Sequence, residues 1–539
     1  MSLNVSAASL DAIFDPLDSA SAPGGSVAIE VGGRIVYARG FGLASVSSGL
    51  ANTVRTRGRI GSTSKQFTCF AVMLLAEDGQ VDIDAPLRRW IPELHADLPP
   101  VTVRQAMNHS AGLRCWLDVL MTGNGVLTQF PESEVLPLTA RQRAVQFEPG
   151  SRMLYSNSGT RLLSLLVERV SGKPFDVFLR ERVLAPLGMW DTELPASEAE
   201  LLPALAEPHL PNGRGGYQRG RMPSTVFGEG GLISTVHDLM RWTAFLRAPG
   251  IGSAATWREM LKTVTYANGA AEPYALGLMD ERHRGLRVVH HAGAVIGANS
   301  QLLIAPEREL GIAILANRAD ISSVELVWKV IDALLGAELA PAPAYLSGKR
   351  AAALRGYYVH PPSGRTVSLD IGGGRLCFDQ QSSLTPLAID GDALSLNQSG
   401  SMIRLKAATD TARPDLLLEQ WGLTQRLERR EPVAGTMYLP RLQGRYFSDE
   451  ADTEIRIHVD GPAPLEIRGP YGRSLWALEV LGGGSQADGE LPEFWLLRSL
   501  EAQFIRWMAM CVIVEGGQVR AIDINTPRTW ALRFARAGA

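Results

Sequence analysis

The chain has 539 residues, is 45% hydrophobic and 20% charged, and carries a formal net charge of -3. It is too long for one ordinary core, and the length suggests about three to four domain-sized units. The near-neutral charge gives no electrostatic case for nucleic acid or an anionic membrane. Four cysteines (Cys69, Cys115, Cys377, Cys511) lie far apart without a CxxC pair, so neither a disulfide framework nor a zinc site is indicated.

The first residues, "MSLNVSAASLDAIFDPLDSA", lack a basic leader followed by an apolar run, and no window approaches a membrane span. A cytoplasmic location is therefore expected. "GGSVAIEVGGRIVYARGFG" predicts a β-hairpin turning at Gly32-Gly33. From Lys65, "KQFTCFAVMLLAEDG" reads as a helix stopping at Gly79. Residues 100 to 250 read as mostly helical, broken by loops such as "HLPNGRGGYQRGRMP"; "LLSLLVERVSG" has one apolar face. Strands return in "GLRVVHH", "NSQLLIA" and "LGIAILA", and "SSVELVWKVIDALLG" closes the unit as an amphipathic helix. The expected first unit is an antiparallel sheet flanked by helices, with a helical insertion, over residues 1–338.

"AELAPAPAYLSG" reads as a Pro/Ala-rich linker, after which helical periodicity nearly vanishes. A weak echo, "LRGYY" at Leu354 and "LQGRY" at Leu442, opens two runs of alternating apolar residues. Two small antiparallel β-barrel domains are expected, over 339–437 and 438–539, because closure removes exposed strand edges. The fold class is α+β.

Ser62 stands three residues before Lys65, and no other lysine of the chain has serine at that spacing. On a helix such residues are neighbours, and a helix N-terminus stabilises a developing oxyanion. Taken alone, a serine cap followed by a surface lysine explains the pair better. In "FEPGSRMLYSNSG", Tyr155 is an acid/base candidate if nearby cations lower its pKa from about 10. Asn157 can orient both a lysine and a substrate carbonyl, though a half-buried tyrosine beside an asparagine cap is the plainer reading. In "VVHHAGAVIGANSQ", His291 ends an apolar strand and Gly293 admits a second backbone. The N–H groups of Ser62 and Ala294 would form the oxyanion hole. HExxH is absent, so no metal is required, and so is the GxSxG elbow of α/β-hydrolases.

The order Ser-x-x-Lys, Tyr-Ser-Asn, His-x-Gly, each at an element end, reverses the plainer readings. With these motifs the chain resembles the serine β-lactamase-like superfamily that includes penicillin-binding proteins, in its class C-like branch. "TVRQAMNHSAGL", "PLGMWDTEL" and "GEGGLISTVHDLMRW" look like that branch's signatures. "STSKQFTC", the histidine form of the third motif, the two β-domains and "GRYFSDE" are similar to its D-aminopeptidases. The resemblance implies a Ser62 acyl-enzyme that releases N-terminal D-residues from peptides or amides without a cofactor. Tyr155 would carry the proton, with Lys65 and His291 tuning it and Asn157 orienting substrate.

It also implies a loop from the last barrel that reaches the active site and binds the substrate's amine through an acid. "RSLEAQFIRWMAMCVIV" reads instead as nearly continuous strand, with Glu501 the acid it offers. The loop "LGGGSQADGELPEF" carries Asp488 and Glu490. The other readings are a related esterase, a D-amino acid amidase or a carboxypeptidase/β-lactamase-like hydrolase, and, from another class, a non-catalytic ligand sensor or scaffold. The expected partner is a small peptide or amide, with a homodimer admitted and no nucleic acid or membrane.

Overall fold

The computed structural model of the chain describes residues 6–125, 128–381, 383–409, 411, 413–461, 463–482, 491–501 and 505–538. The predicted hairpin forms β1 (Gly25–Val31) and β2 (Arg34–Phe41). Four later strands join it: β3 (Met279–His283), β4 (Leu286–Val295), β5 (Ala298–Ala305) and β6 (Leu310–Ala316). Their order is β2–β1–β6–β5–β4–β3, and every neighbouring pair is antiparallel.

The sheet is buried on both faces, and the two-residue period of a strand divides its side chains between two cores. Val27, Ile29, Ile312 and Ile314 pack towards helices α1 (Ala7–Phe14) and α6 (Ser323–Leu335). Ala28, Ala313 and Leu315 face the opposite way, into a larger core built on α2 (Lys65–Glu77), α4 (Asn157–Ser171) and α5 (Val236–Arg247). Every residue of α2 from Lys65 to Leu75 is buried. Phe67 stacks on Trp242 of α5 with ring centroids 4.1 Å apart, and Trp242 Nε1 donates to Gln66 Oε1 at 2.6 Å. The helical insertion also carries α3 (Trp116–Asn124). Where a loop was expected at "HLPNGRGGYQRG", His209–Pro211 pairs with Tyr217–Arg219, closed by Asn212 N–H on the Gly216 carbonyl.

Beyond the linker the chain is almost all antiparallel strand. The strand Gly356–His360 opens the first run and returns to pair with Leu423–Ala434. Gly444–Ser448 opens a second run of eight strands and pairs with the last, Leu532–Arg536, closing a barrel. The five-residue echo is structural. Tyr358 and Tyr446 are both fully buried, and each hydroxyl donates at 2.7 Å to the carbonyl four residues earlier, Leu354 or Leu442. An arginine from the run's closing strand, Arg429 or Arg536, covers each ring.

One expectation fails here. "RSLEAQFIRWMAMCVIV" is two strands, Phe494–Ser499 and Trp507–Glu515, and the break falls where Glu501 interrupts the apolar alternation. Among the described residues, no helix is long and apolar enough to cross a membrane.

Candidate active site

Ser62 lies in a tight turn, Gly61–Ser64, just ahead of α2. Its hydroxyl caps no helix; it accepts a hydrogen bond from Lys65 Nζ at 3.1 Å. Two glycines bring this turn against the sheet. A Cβ on Gly293 of β4 would lie 1.8 Å from the Ile60 carbonyl oxygen, and one on Gly61 would lie 2.5 Å from the Ala294 nitrogen. Gly61 also has φ +52°, a conformation costly to other residues. Backbone therefore meets backbone, and Ser300 Oγ fastens the contact by donating to the Ile60 carbonyl at 2.7 Å. Ser62 is half-buried and Ala294 exposed, so both are reached from solvent where the turn meets the strand edge.

Lys65 is wholly buried. Besides Ser62, its ammonium donates to Asn157 Oδ1 at 2.9 Å and to the Glu229 carbonyl at 2.5 Å. Asn157 is the first residue of α4, and its amide is free for this contact because the Ser156 hydroxyl caps the helix. Burial lowers the Lys65 pKa to about 7, against the opposing pull of the nearby Glu229 carboxyl.

Tyr155 is placed beside this pair, with Lys65 Nζ 4.9 Å from its ring centre. Its proton affinity departs from the sequence expectation. Burial holds the phenol above its ordinary value, outweighing the Ser62 hydroxyl and Arg528, which pull it down. Its Oη makes no hydrogen bond among the described residues.

His291 lies next to the Tyr155 ring but is directed elsewhere. Its Nε2 pairs with Tyr274 Oη at 2.9 Å and its Nδ1 with the Ala292 carbonyl at 2.6 Å. Tyr274 Oη also meets His109 Nε2 at 3.0 Å. One proton arrangement satisfies this chain: His109 Nε2–H donates to Tyr274, Tyr274 O–H donates to His291, and His291 Nδ1–H donates to Ala292. Burial lowers the His291 pKa to about 3 and that of His109 well below the ordinary histidine range, so both rings are neutral. His291 thus braces Tyr155 by packing and brings no charge to tune it.

The last barrel does reach this region, by a loop that the sequence did not single out. Residues 525–531 join the strands Gln518–Asn525 and Leu532–Arg536 and dock on the start of α3. Arg528 Nε donates to Asp118 Oδ1 at 2.9 Å, and Thr526 Oγ1 donates to Asp118 Oδ2 at 2.7 Å. The Arg528 charge is felt at Lys65, Tyr155 and His109. Of the acids expected to bind an amine, Asp488 and Glu490 lie outside the described residues. Glu501 is exposed, and its backbone N–H and carbonyl both meet the Ser499 hydroxyl.

His109, Tyr274, Glu229, Asp118 and Arg528 were missed as site residues. Glu229 lies within "GEGGLIST", but its hydrogen bond to Lys65 comes from the backbone carbonyl, which residue type does not encode, beside the pull of its carboxyl. Among the described residues no cluster of three or more His, Cys, Asp or Glu side chains is arranged to hold a metal.

The arrangement presents a half-exposed hydroxyl hydrogen-bonded to a buried amine of low proton affinity, facing a strand edge. Similarities to known proteins agree with it. A D-aminopeptidase of Brucella canis is 28% identical over 96% of this chain and 92% of its own length. A penicillin-binding protein homologue from Pyrococcus abyssi superposes with a TM-score of 0.57, at 22% identity, over 79% of this chain and all of that one. A D-amino acid amidase from Ochrobactrum anthropi, solved with L-phenylalanine amide, gives 0.51 at 25% identity, over 61% of this chain and 98% of its own. The Beta-lactamase family pattern matches residues 10–335, more than half of the chain. The chain belongs to the beta-lactamase family of serine hydrolases.

Proposed function

We propose that the protein hydrolyses amides through a Ser62 acyl-enzyme and releases D-residues from the N-terminus of peptides or amides. The observation that carries this reading is the direct hydrogen bond from the buried Lys65 amine to Ser62 Oγ. A lysine whose pKa falls to about 7 is partly neutral at physiological pH and then accepts the serine proton. Lys65 is therefore the proton acceptor in this reading, in place of Tyr155, whose phenol burial keeps protonated.

Ser62 Oγ attacks the amide carbonyl as its proton passes to Lys65. The N–H groups of Ser62 and Ala294 hold the oxyanion, each worth about 3 kcal/mol. The ammonium of Lys65, with the Tyr155 hydroxyl beside it, returns the proton to the leaving amine. Water then attacks the ester with Lys65 as base, releasing the acid and restoring Ser62. The preference for a free D-residue is supported by the D-aminopeptidase likeness, which extends through both β-domains.

The test is a panel of D-alanine, L-alanine and N-acetyl-D-alanine p-nitroanilides with a chromogenic cephalosporin and a short-chain ester. Cleavage of the first alone is expected, and Ser62→Ala should abolish it. Faster cleavage of the acetylated compound or the cephalosporin, or full activity in Ser62→Ala, would overturn the reading.

A further inference from the structure

A cleft open to solvent lies where residue 154, residues 365–421 and residues 507–530 meet. Leu154 of the catalytic lobe, Arg365, Gln381 and Trp421 of the first β-run, and Asn525 and Trp530 of the last barrel line it. It lies behind the catalytic tyrosine: Leu154 precedes Tyr155, and Trp421 and Trp530 share an apolar cluster with Tyr155 and Tyr274.

The charge in this cleft is unbalanced. The Arg365 guanidinium lies 4.8 Å from the Trp421 ring and 5.3 Å from the Trp530 ring. It donates to the neutral amides of Gln425 at 3.1 Å and Gln420 at 2.5 Å. Arg152 stands over Trp421 at 5.7 Å. Among the described residues neither arginine meets a carboxylate. Burial, and for Arg365 the neighbouring Arg152 charge, lowers the proton affinity of both below the ordinary arginine value. The acid lining the cleft, Asp379, is already engaged by Trp507 Nε1 at 2.9 Å and Arg506 at 3.2 Å.

Hydrogen-bonding capacity is also left over. Among the described residues, Trp421 Nε1 and Arg152 Nε are buried donors without an acceptor, and Gln381 Oε1 is a buried acceptor without a donor. Trp421 and Gln381 are 2% and 5% exposed. Both are held at positive φ, +57° and +66°, which is uncommon outside glycine and asparagine and unfavourable for a tryptophan. Buried polar groups are ordinarily satisfied, and a partly buried guanidinium without a carboxylate partner is stabilised by an anion.

We propose that this cleft binds a carboxylate carried by an amino acid or a peptide end. Arg365 and the indole N–H would take the carboxylate, the tryptophan faces its apolar part, and Gln381 Oε1 an adjoining N–H, with the Arg152 charge over Trp421 adding to the attraction. Aromatic walls and a vacant acceptor fit such a ligand better than inorganic phosphate, which has neither an apolar part nor an amide. The inference stands on the cleft and does not depend on hydrolysis at Ser62.

The experiment uses the full chain with Ser62→Ala, so that turnover does not consume the ligand. Calorimetric titration compares D-alanyl-D-alanine with its C-terminal amide. The acid should bind about tenfold more tightly, the scale of one charge-assisted contact, and the preference should vanish in Arg365→Gln and shrink in Arg152→Gln. Arg152 makes no hydrogen bond among the described residues, so its substitution tests the charge without disturbing the stacked Arg365. Equal binding of acid and amide, or a preference that survives both substitutions, would overturn the proposal. N-acetyl-D-alanine separates the two sources of the carboxylate. Arginine-dependent binding that excludes the dipeptide amide assigns the cleft to the substrate's own C-terminal end, and binding that tolerates the amide assigns it to a separate amino acid.

Discussion

Replacing Lys65 by methionine tests the central electrostatic claim, because it removes the amine and keeps the length of the side chain. The folded-state pKa is about 7 against an ordinary 10.5. The gap corresponds to about 5 kcal/mol of differential interaction, set chiefly by burial. Between these values the unfolded chain holds the proton and the folded one has lost it. Wild-type stability therefore gains from rising pH across about 7 to 10.5, and below about 7 it bears the full cost of a buried ammonium. Lys65→Met lacks this dependence. The stability difference between the two proteins should shift in favour of wild type by about 1.4 kcal/mol for each pH unit between 7 and 10. Urea unfolding at pH 6, 7.5 and 9, followed by tryptophan fluorescence, measures it. Hydrogen bonds lost to Asn157 and Glu229 displace the whole curve without altering its slope. Turnover should fall by about 10³-fold in the variant. Parallel stability profiles for the two proteins would refute a lysine of low proton affinity, and with it the assignment of Lys65 as the neutral base.

Gly293→Ala places a methyl group 1.8 Å from the Ile60 carbonyl, so β4 and the Ser62 turn must separate by more than an ångström. We expect a loss of about 1–3 kcal/mol in thermal or urea stability and about 100-fold in kcat/KM. Asp118→Asn leaves the partly exposed Arg528 without its counter-ion and loosens the 525–531 loop. It should cost about 1.5–3 kcal/mol in a denaturation experiment, the scale of a charged hydrogen bond. Because Arg528 then presses its charge on Lys65 unopposed, the acid limb of the pH–rate profile should move to lower pH.

Much of the catalytic lobe was legible because its signals are local. The three-residue spacing of Ser62 and Lys65, the two-residue period of β1 and β6 and the Gly32-Gly33 turn each report geometry set within a few residues. The strand break at Glu501 was hidden because the apolar runs on either side are both good strand sequence. The proton affinities of Tyr155 and His291 were not legible for another reason. Their proton affinities follow from burial, and burial is a property of everything packed around them.

The sequence by itself determined the order of the catalytic motifs, the antiparallel sheet that carries the third of them, and the repeated start of the two β-runs. Tertiary structure decided which proton each group can hold and which barrel loop meets the active site. Asp118 and Arg528 are separated by most of the chain, and Arg152, Arg365 and Trp530 each by more than 160 residues. No periodicity or short motif couples such residues. Their electrostatics appear only when the folded chain brings them together and excludes water from around them.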